Sequence, residues 1–425
     1  MRITATPSGA PATVSPARLC AFNAGIQLVW GAILAVSLQA RSVELAHDDG
    51  VRAYATIAAL GALLATLVQP LVGALSDRRR ARVGERFAFY AAGLALALPA
   101  LVWFYLAPAW WQLLAAFFLL QIGMNVAGGP YQAAIPDYVP TGRRGAASSW
   151  MSAYQSVGNA AGLLVAGFVH DGRIVAAALA VPFALTWSVT VGYMRGLTGN
   201  MPALGATQVA MPVATQVATP VATQFGAPIA ALLRNEPLRA LLLSRGLVNV
   251  GFFTLLGFLL FFVRDSLGVR GADVQTQTAL VFLTFTLSAV VGAVFAARPA
   301  DRIDKRIVVS VACGGVTLAL AVLAAAASLP LAYLAAAAAG VAWGAFVTAD
   351  WALASAVLPA GAMATAMGVW NFATTFPQVV APLATAPLVE RFNALAPGLG
   401  PRAAVVLSLL EFALGGALIW RLPRA

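Results

Sequence analysis

Twelve stretches of predominantly apolar residues recur along the chain, each bounded by charged residues, proline or glycine. A helix of about 20 apolar residues is long enough to cross the hydrocarbon core of a bilayer. Only 10% of the 425 residues are charged, and the mean hydropathy is +0.85, whereas a soluble domain has about 25% charged residues. The pattern therefore predicts an all-α membrane protein with twelve transmembrane helices, over residues 18–39, 53–74, 87–106, 110–134, 148–169, 174–195, 238–263, 276–297, 306–328, 331–357, 364–388 and 402–421.

The positive charges indicate how these spans are oriented. An even number of spans places both termini on one side, and most arginines lie in loops of that side, including 75–86, 140–147 and 298–306. Cytoplasmic loops carry an excess of Arg and Lys, so both termini are expected in the cytoplasm. We interpret the first apolar run as a membrane anchor and not as a cleaved signal peptide. Composition points to a bacterial inner (plasma) membrane, and we expect a monomer.

Two six-span halves are separated by a segment of different composition. Residues 196–236 are rich in Ala, Thr and Pro and contain an octapeptide repeat that begins at Ala206, Ala214 and Ala222. Such a tract has no amphipathic period able to build a core, so we predict a flexible cytoplasmic linker. The expected domains are a disordered tail (1–17), a first bundle (18–195), this linker and a second bundle (237–425).

The two halves also repeat each other in sequence. "SDRRRAR" after span 2 corresponds to "ADRIDKR" after span 8, and "PYQAAIPDYVP" at the end of span 4 corresponds to "DWALASAVLP" at the end of span 10. The segments recur in the same order and on the same side of the membrane. This is typical of a parallel repeat, found in transporters whose two bundles move about a central site.

Polar residues inside the spans mark the candidate binding site. Polar side chains are costly in lipid and usually face a bundle interior or water. They occur as stripes in spans 1, 4, 5, 7, 10 and 11, which predicts a polar cavity between the halves, although a single Asn or Gln is often only a link between helices. The predicted substrate-binding residues are Asn23, Gln27, Trp30, Gln121, Asn125, Tyr131, Gln155, Arg245, Asn249, Asp350, Trp370, Asn371 and Gln378.

Asp350 is the predicted site of proton coupling, with a structural or substrate-binding role as the alternative. Nine residues separate it from Pro359, which puts it about 13 Å along its helix and close to the bilayer midplane. An ion pair with Arg245 is one expectation, and a snorkelling Arg245 is the alternative. Glu411, in the otherwise apolar span 12, is interpreted as a protonated carboxyl bound to a neighbouring helix, with a second proton site as the alternative.

Other classes of protein are disfavoured by the motifs. Cys20 and Cys313 lie inside apolar runs, and His47 and His170 lie in loops, so no metal-ligand spacing is present. We therefore expect no metal and no cofactor beyond a coupling proton. The net charge is +11, and the arginines that produce it lie at the ends of apolar runs, which argues against nucleic-acid binding. No intramembrane protease, hydrolase or nucleotide-binding motif appears, so an enzyme or a nucleotide-driven pump is not expected. A membrane sensor or scaffold without transport activity remains open.

The loop "GALSDRRRARVGER" (residues 73–86) identifies a family resemblance. It resembles the loop between helices 2 and 3 of the major facilitator superfamily. Its spacing is most similar to that of the glycoside–pentoside–hexuronide symporters and their sucrose-transporter-like relatives, although Ala81 and Glu85 depart from the usual residues. Charged contacts of Asp77 with neighbouring arginines would lock the cytoplasmic ends of the bundles in one state and release them in the other, as alternating access requires. Gly73 is expected to permit a close helix approach near the end of span 2, and Gly84 a tight turn before span 3. The gating residues are Gly73, Asp77, Arg78, Arg82, Gly84, Arg86, Asp301 and Arg302.

Segments "GIQLVWGAILAVSLQ", "GPYQAAIPDYVPTGRRGAASSWM" and "DWALASAVLP…MGVWNFATTFPQVVAP" are also similar to bacterial members of this group. The resemblance implies a rocker-switch transporter of a sugar or similar solute, with a coupling cation. The melibiose-type symporters carry aspartates in helices 2 and 4, which this chain replaces by Gln69, Gln121 and Asn125. A proton at Asp350 is therefore preferred to sodium. A uniporter, or an exporter of an amphipathic compound or lipid, is the alternative.

Overall fold

The computed structural model describes residues 14–140, 143–200, 236–357 and 363–422. Across these residues the regular structure is helical and contains no strand. Twelve long helices follow one another, in the predicted order. They are α1 (Pro16–Ala32, a π-helical turn Ile33–Ser37, and Leu38–Ala46), α2 (Gly50–Val83), α3 (Phe87–Leu106), α4 (Trp110–Tyr131), α5 (Arg144–Phe168), α6 (Gly172–Asn200), α7 (Glu236–Phe261 with a π-helical turn Phe262–Ser266), α8 (Asp273–Arg302), α9 (Lys305–Ala325), α10 (Leu329–Val357), α11 (Met363–Leu395) and α12 (Leu399–Leu418).

The helices extend beyond several predicted span limits. Helix α1 begins at Pro16 and α6 continues to Asn200, so both cross the predicted edges of the first bundle. Residues 1–13 of the tail and 201–235 of the linker lie outside the described residues. By length and composition, ten helical stretches could cross a membrane. One of them, Pro16–Arg80, contains α1 and most of α2, and α5 with its polar stripe is not among the ten.

Equivalent helix contacts show that each half forms a bundle and that the bundles are related. Helix α1 packs against α5 and α6, and α7 packs against α11 and α12 in the same way. The contacts of α4 with α2 and α3 correspond to those of α10 with α8 and α9. Between the bundles, α2 packs against α11 and α5 packs against α8. This arrangement agrees with the parallel repeat seen in the sequence.

Contacts between the bundles are concentrated at one face of the molecule. We call the face where α1 begins and α12 ends the terminal face, and the opposite face, with the turn His47–Asp49, the far face. At the far face Arg52 binds Glu390, and Thr276 donates a hydrogen bond to the Gly167 carbonyl oxygen at 2.5 Å. The two bundles therefore meet at the far face.

The burial of the interface helices decreases toward the terminal face. In α8 the far half is well buried at Val274, Phe282 and Phe285, whereas Val294 is 70% exposed and Phe295 is 74% exposed. Helix α2 shows the same change, from a series of buried residues between Val51 and Ala62 to exposed leucines in its second half. The same helices are thus packed in their far halves and open in their terminal halves.

Close packing inside the first bundle depends on small residues. Gly158 and Gly162 of α5 lie against the Ala24 and Leu28 carbonyls of α1. An added Cβ at either glycine would collide with that backbone. The helices α1 and α5 therefore approach as closely as their backbones allow, which is how membrane helices gain van der Waals contact.

Candidate functional site

A small cavity between the bundles collects two predicted polar residues. Gln121 of α4 and Gln378 of α11 both line it, together with the aromatic rings of Tyr54, Phe117 and Phe253. Its volume is about 40 Å³, which is room for a few water molecules at most. A solute cannot occupy it in this conformation. The cavity lies where the two bundles meet, and each bundle contributes one side-chain amide to its lining.

Arg245 and Asp350 form an ion pair inside the second bundle, which is one of the two alternatives that the sequence left open. The Arg245 guanidinium binds the Asp350 carboxylate, and its Nη2 donates to Thr374 Oγ1 at 2.9 Å. The side chains are 11% and 5% exposed, so both charges are largely removed from water. The three residues come from α7, α10 and α11, so these contacts join the three helices of the second bundle that carry predicted site residues.

Helix geometry explains how this arrangement forms. Arg245, Asn249 and Phe252 follow each other at i, i+4 and i+7 and so lie on one face of α7. On α10, Trp343 and Asp350 are seven residues apart and also share a face. The Phe252 and Trp343 rings stack with their centroids 4.6 Å apart. An aromatic layer thus lies about two turns from the ion pair along both helices.

The residues of the first bundle that correspond to Arg245 and Asp350 are neutral, and their side chains form hydrogen bonds within that bundle. Asn23 Nδ2 donates to the Met151 carbonyl oxygen at 2.9 Å, and Tyr131 Oη donates to the Leu19 carbonyl oxygen at 3.0 Å. Both side chains are buried. In this conformation they link α1 to α5 and to α4, and their predicted role in substrate binding stays a prediction.

Most of the remaining predicted binding residues are only partly enclosed, whereas Asn249 is buried. Gln27, Trp30 and Asn125 are half-buried, and Gln155 is exposed on α5. Asn125 Nδ2 donates to the Gln121 carbonyl oxygen at 2.8 Å, and Asn249 Nδ2 donates to the Arg245 carbonyl oxygen at 2.8 Å. Trp370 and Asn371 belong to α11, but their side chains lie outside the described part of the chain.

A cluster of charged residues forms the predicted gate at the terminal face. Arg86 Nη1 binds Asp77 Oδ1 at 2.6 Å and donates to Ser76 Oγ at 2.6 Å, and Arg86 Nε binds Asp137 Oδ2 at 3.2 Å. Arg80 also binds Asp137. Arg86 is nearly buried, whereas the Asp77 side chain is 50% exposed. Arg86 therefore joins the α2–α3 loop to the segment that follows α4.

Other predicted gating residues have distinct positions. Gly84 ends α2 with φ +80°, and its N–H donates to the Arg80 carbonyl oxygen at 2.8 Å, as the expected tight turn requires. An added Cβ at Gly73 would meet no atom within 4 Å, so the close helix approach expected there is not made in this conformation. Arg78, Arg82 and Arg302 are exposed, and the side chain of Asp301 lies outside the described residues.

Two features of the site were missed by the sequence reasoning. One is Asp137, which follows α4 and is the partner of two arginines. The other is the far-face ion pair, in which Arg52 Nη2 lies 2.6 Å from Glu390 Oε2. These two residues are 338 positions apart, and nothing in the local pattern around either residue indicates the pairing.

Comparison with known proteins agrees with this architecture. The chain matches the Major Facilitator Superfamily over residues 20–382. Among curated protein sequences, none matches the chain. A solved structure of a bacterial homolog to the human lysosomal transporter Spinster, in an inward-facing and unoccupied conformation, is similar with a TM-score of 0.70 and 16% identity, covering 96% of this chain and 97% of that one.

Two further solved structures share the fold. The nucleoside transporter NupG is similar with a TM-score of 0.70 and 15% identity, covering 96% of this chain and 98% of that one. A D-xylose–proton symporter is similar with a TM-score of 0.65 and 15% identity, with the same coverage of 96% and 98%. The superfamily match extends over most of the chain, and the helices have the expected two-bundle arrangement. The chain therefore belongs to the major facilitator superfamily and is an integral membrane transporter, not an enzyme.

Proposed function

We propose that this protein is a secondary transporter that moves a small polar solute, most simply a sugar or glycoside, by alternating access coupled to a proton. The observation that carries the proposal is the buried Arg245–Asp350 pair with Thr374, on three helices of the second bundle. Alternating access is supported by the packing, which is tight at the far face and open at the terminal face.

A sugar fits the groups available between the bundles. Gln121 and Gln378 come from different bundles and line one cavity, so amides from both sides could bind hydroxyl groups of a solute held between them. The stacked Phe252 and Trp343 rings offer an apolar layer beside these polar groups. The loop resemblance to sugar–cation symporters supports the same class, as does the fold shared with a D-xylose–proton symporter.

Proton coupling follows from the chemistry of the ion pair. A buried charge is costly when its partner is removed. Protonation of Asp350 would therefore release Arg245 to bind a polar group of the solute, and return of the ion pair would favour solute release. Protonation and solute binding are thereby linked through Arg245.

Transport by the purified protein in proteoliposomes tests this proposal. Counterflow of a panel of sugars identifies the solute, and accumulation with and without an inward pH gradient tests the coupling. We expect exchange without a gradient and accumulation only with one. Exchange that never becomes accumulation would indicate a uniporter, and extrusion of an amphipathic compound without sugar exchange would contradict the proposed solute class.

A further inference from the structure

Glu411 is a buried carboxyl that the ion pair of the second bundle does not use. It lies on α12 and is 8% exposed. The Thr254 hydroxyl of α7 is hydrogen-bonded with this carboxyl group. Among the described residues, the second oxygen, Oε2, is buried without a hydrogen-bond partner. An ionised carboxylate left in this state would be far more costly than a neutral acid.

The charged groups of the surrounding helices do not compensate for a negative charge on Glu411. On α7, Arg245 lies nine residues before Thr254, which is about 13 Å along the helix, and it is engaged by Asp350. The Cys313 thiol of α9 is buried next to Gly416. The other charged residues of the elements packed against α12, and of α12 itself, lie near helix ends: Glu236, Arg239, Arg264, Asp265, Lys305, Arg306, Glu390, Arg391, Arg402 and Arg421.

Two hydroxyl groups connect Glu411 to the interface between the bundles. Thr254 Oγ1 lies 3.3 Å from Thr385 Oγ1 of α11, and both threonines are fully buried. Thr254 is one helical turn from Gly257, which lies against the Tyr54 ring of α2 at the far-face closure. Opening of the far face would separate Tyr54 from Gly257 and let water approach this turn of α7.

We propose that Glu411 is a second proton-binding site, which holds a proton while the far face is closed and exchanges it through Thr254 and Thr385 when that face opens. The proton comes from water of the far-face side and is bound by the carboxylate, with no other bond formed or broken. This inference rests on the proposed proton-coupled transport and extends it to a residue outside the solute site.

The linkage has a definite sign. If the far-face-closed state binds one more proton at Glu411 than the open state, lower pH favours closure and higher pH favours opening. One linked proton changes the ratio of the two states by at most about tenfold per pH unit. Glu411→Gln cannot exchange the proton and should remove this contribution.

Infrared spectroscopy of the purified protein tests the protonation state without any transport assay. We expect a protonated-carboxyl band at neutral pH in the wild type that is absent from Glu411→Gln, shifted in Thr254→Val and retained in Asp350→Asn. Ser408→Ala is the matched control, because it removes another hydrogen bond between α12 and α7 without removing an acid. A band that persists in Glu411→Gln would overturn the proposal.

Distances between spin labels at Asp48 and Arg270, both exposed at the far face, test the linkage. In the wild type the closed fraction should rise as the pH falls. This response should be weaker in Glu411→Gln and kept in Ser408→Ala, and Glu411→Asp should partly restore it. The wild-type response in Glu411→Gln would also overturn the proposal. Failure of Asp350→Asn to lose accumulation would contradict only the coupling role of Asp350.

Discussion

The seam between α1 and α5 in the first bundle differs in chemistry from its counterpart between α7 and α11 in the second. The first seam is closed by glycines, with Gly158 and Gly162 lying directly against the α1 backbone. The second seam is joined by polar side chains, through Arg245 with Thr374 and Thr254 with Thr385. The first seam therefore combines backbone contact with a neutral bond to the backbone, from Asn23 to the Met151 carbonyl oxygen. The second seam is joined by hydrogen bonds between side chains, one of them charged.

This difference separates a structural half from a half able to respond to protons. A glycine seam gains from close packing and has one tight arrangement, so it favours rigidity. Buried charged and hydroxyl groups change their interactions when a proton is bound or lost. The acids within the membrane-spanning part, Asp350 and Glu411, lie in the second bundle, and α6, the counterpart of α12, has no acidic residue. We therefore expect substitutions in the two bundles to have different consequences.

The largest contrast should come from Asp350→Asn compared with Tyr131→Phe, its counterpart in the first bundle. Loss of Asp350 leaves Arg245 buried without its carboxylate, which should cost roughly 3–5 kcal/mol of stability. Proton-driven accumulation should be abolished while exchange stays measurable. Tyr131→Phe removes one hydrogen bond and should cost about 1 kcal/mol. Thermal unfolding and proteoliposome transport measure both effects.

Where Asp350→Asn is too unstable to assay, the double variant Arg245→Met/Asp350→Leu provides the control. Replacing a buried ion pair by apolar residues is often neutral for stability. We expect this variant to fold yet to lose coupling. Full proton-driven accumulation by either variant would remove Asp350 from the coupling role.

A smaller effect is expected from the glycine seam. Gly162→Ala places a Cβ against the Leu28 carbonyl oxygen and should destabilise the first bundle by about 1–3 kcal/mol. Gly246→Ala, on α7, is the matched control, because an added Cβ there meets no atom within 4 Å. Thermal unfolding should separate the two variants. Equal stability would contradict the view that α1 and α5 are held at backbone contact.

Asp77→Asn tests the gate in the first bundle. The substitution weakens the ion pair with Arg86 but lies away from the predicted solute site, so turnover should slow severalfold with little change in substrate affinity. The comparison variant in the second bundle is Asp304→Asn, in the loop that repeats this motif. Asp304 caps α9 by accepting from the Arg306 N–H at 3.0 Å. Asn is also a good N-cap residue, and the ion pair that the substitution weakens, with Arg306, is local to the start of α9, so turnover should be nearly normal. Normal turnover with a large loss of affinity in Asp77→Asn would contradict the gating role.

The smallest effect should come from Arg52→Ala at the far face. The Arg52 side chain is 68% exposed, and exposed ion pairs contribute about 0.2–1 kcal/mol. The closed state should therefore lose at most about fivefold in population, measured by the far-face distances described above. The charge swap Arg52→Glu/Glu390→Arg should restore it. A swap that behaves like Arg52→Ala would show that the pair does not hold the bundles together.

Much of this fold follows from local properties of the sequence. Runs of apolar residues predict the helices, because only a helix satisfies its own backbone hydrogen bonds in lipid. The repeated loop motifs predict the two-bundle arrangement, and single charged residues in apolar runs pointed to Arg245 and Asp350. Gln121 and Gln378 were selected in the same way, and the structure brings them to one cavity.

The partners of the polar residues could not be derived in the same way. Asn23 and Tyr131 are polar residues inside predicted spans, as Gln121 is, and were selected on the same grounds. In the structure both donate hydrogen bonds to backbone carbonyls inside the first bundle. Asp137 forms ion pairs with two arginines of the loop segment 73–86, and the loop motif by itself does not indicate this pairing. A stripe of polar residues shows which face of a helix is polar, but it does not show which hydrogen-bond partners those residues already have.

The amino-acid sequence by itself determined the number of helices, their order and the residues able to carry charge in the membrane, because these depend on the hydropathy of neighbouring positions along one chain. The tertiary structure alone decided that Arg52 and Glu390 form an ion pair at the closed far face. It also decided that the Glu411 carboxyl group is hydrogen-bonded with Thr254 while its Oε2 has no hydrogen-bond partner among the described residues. Those contacts join helices distant in the chain, and hydrogen bonding depends on the distance and angle at which such helices meet.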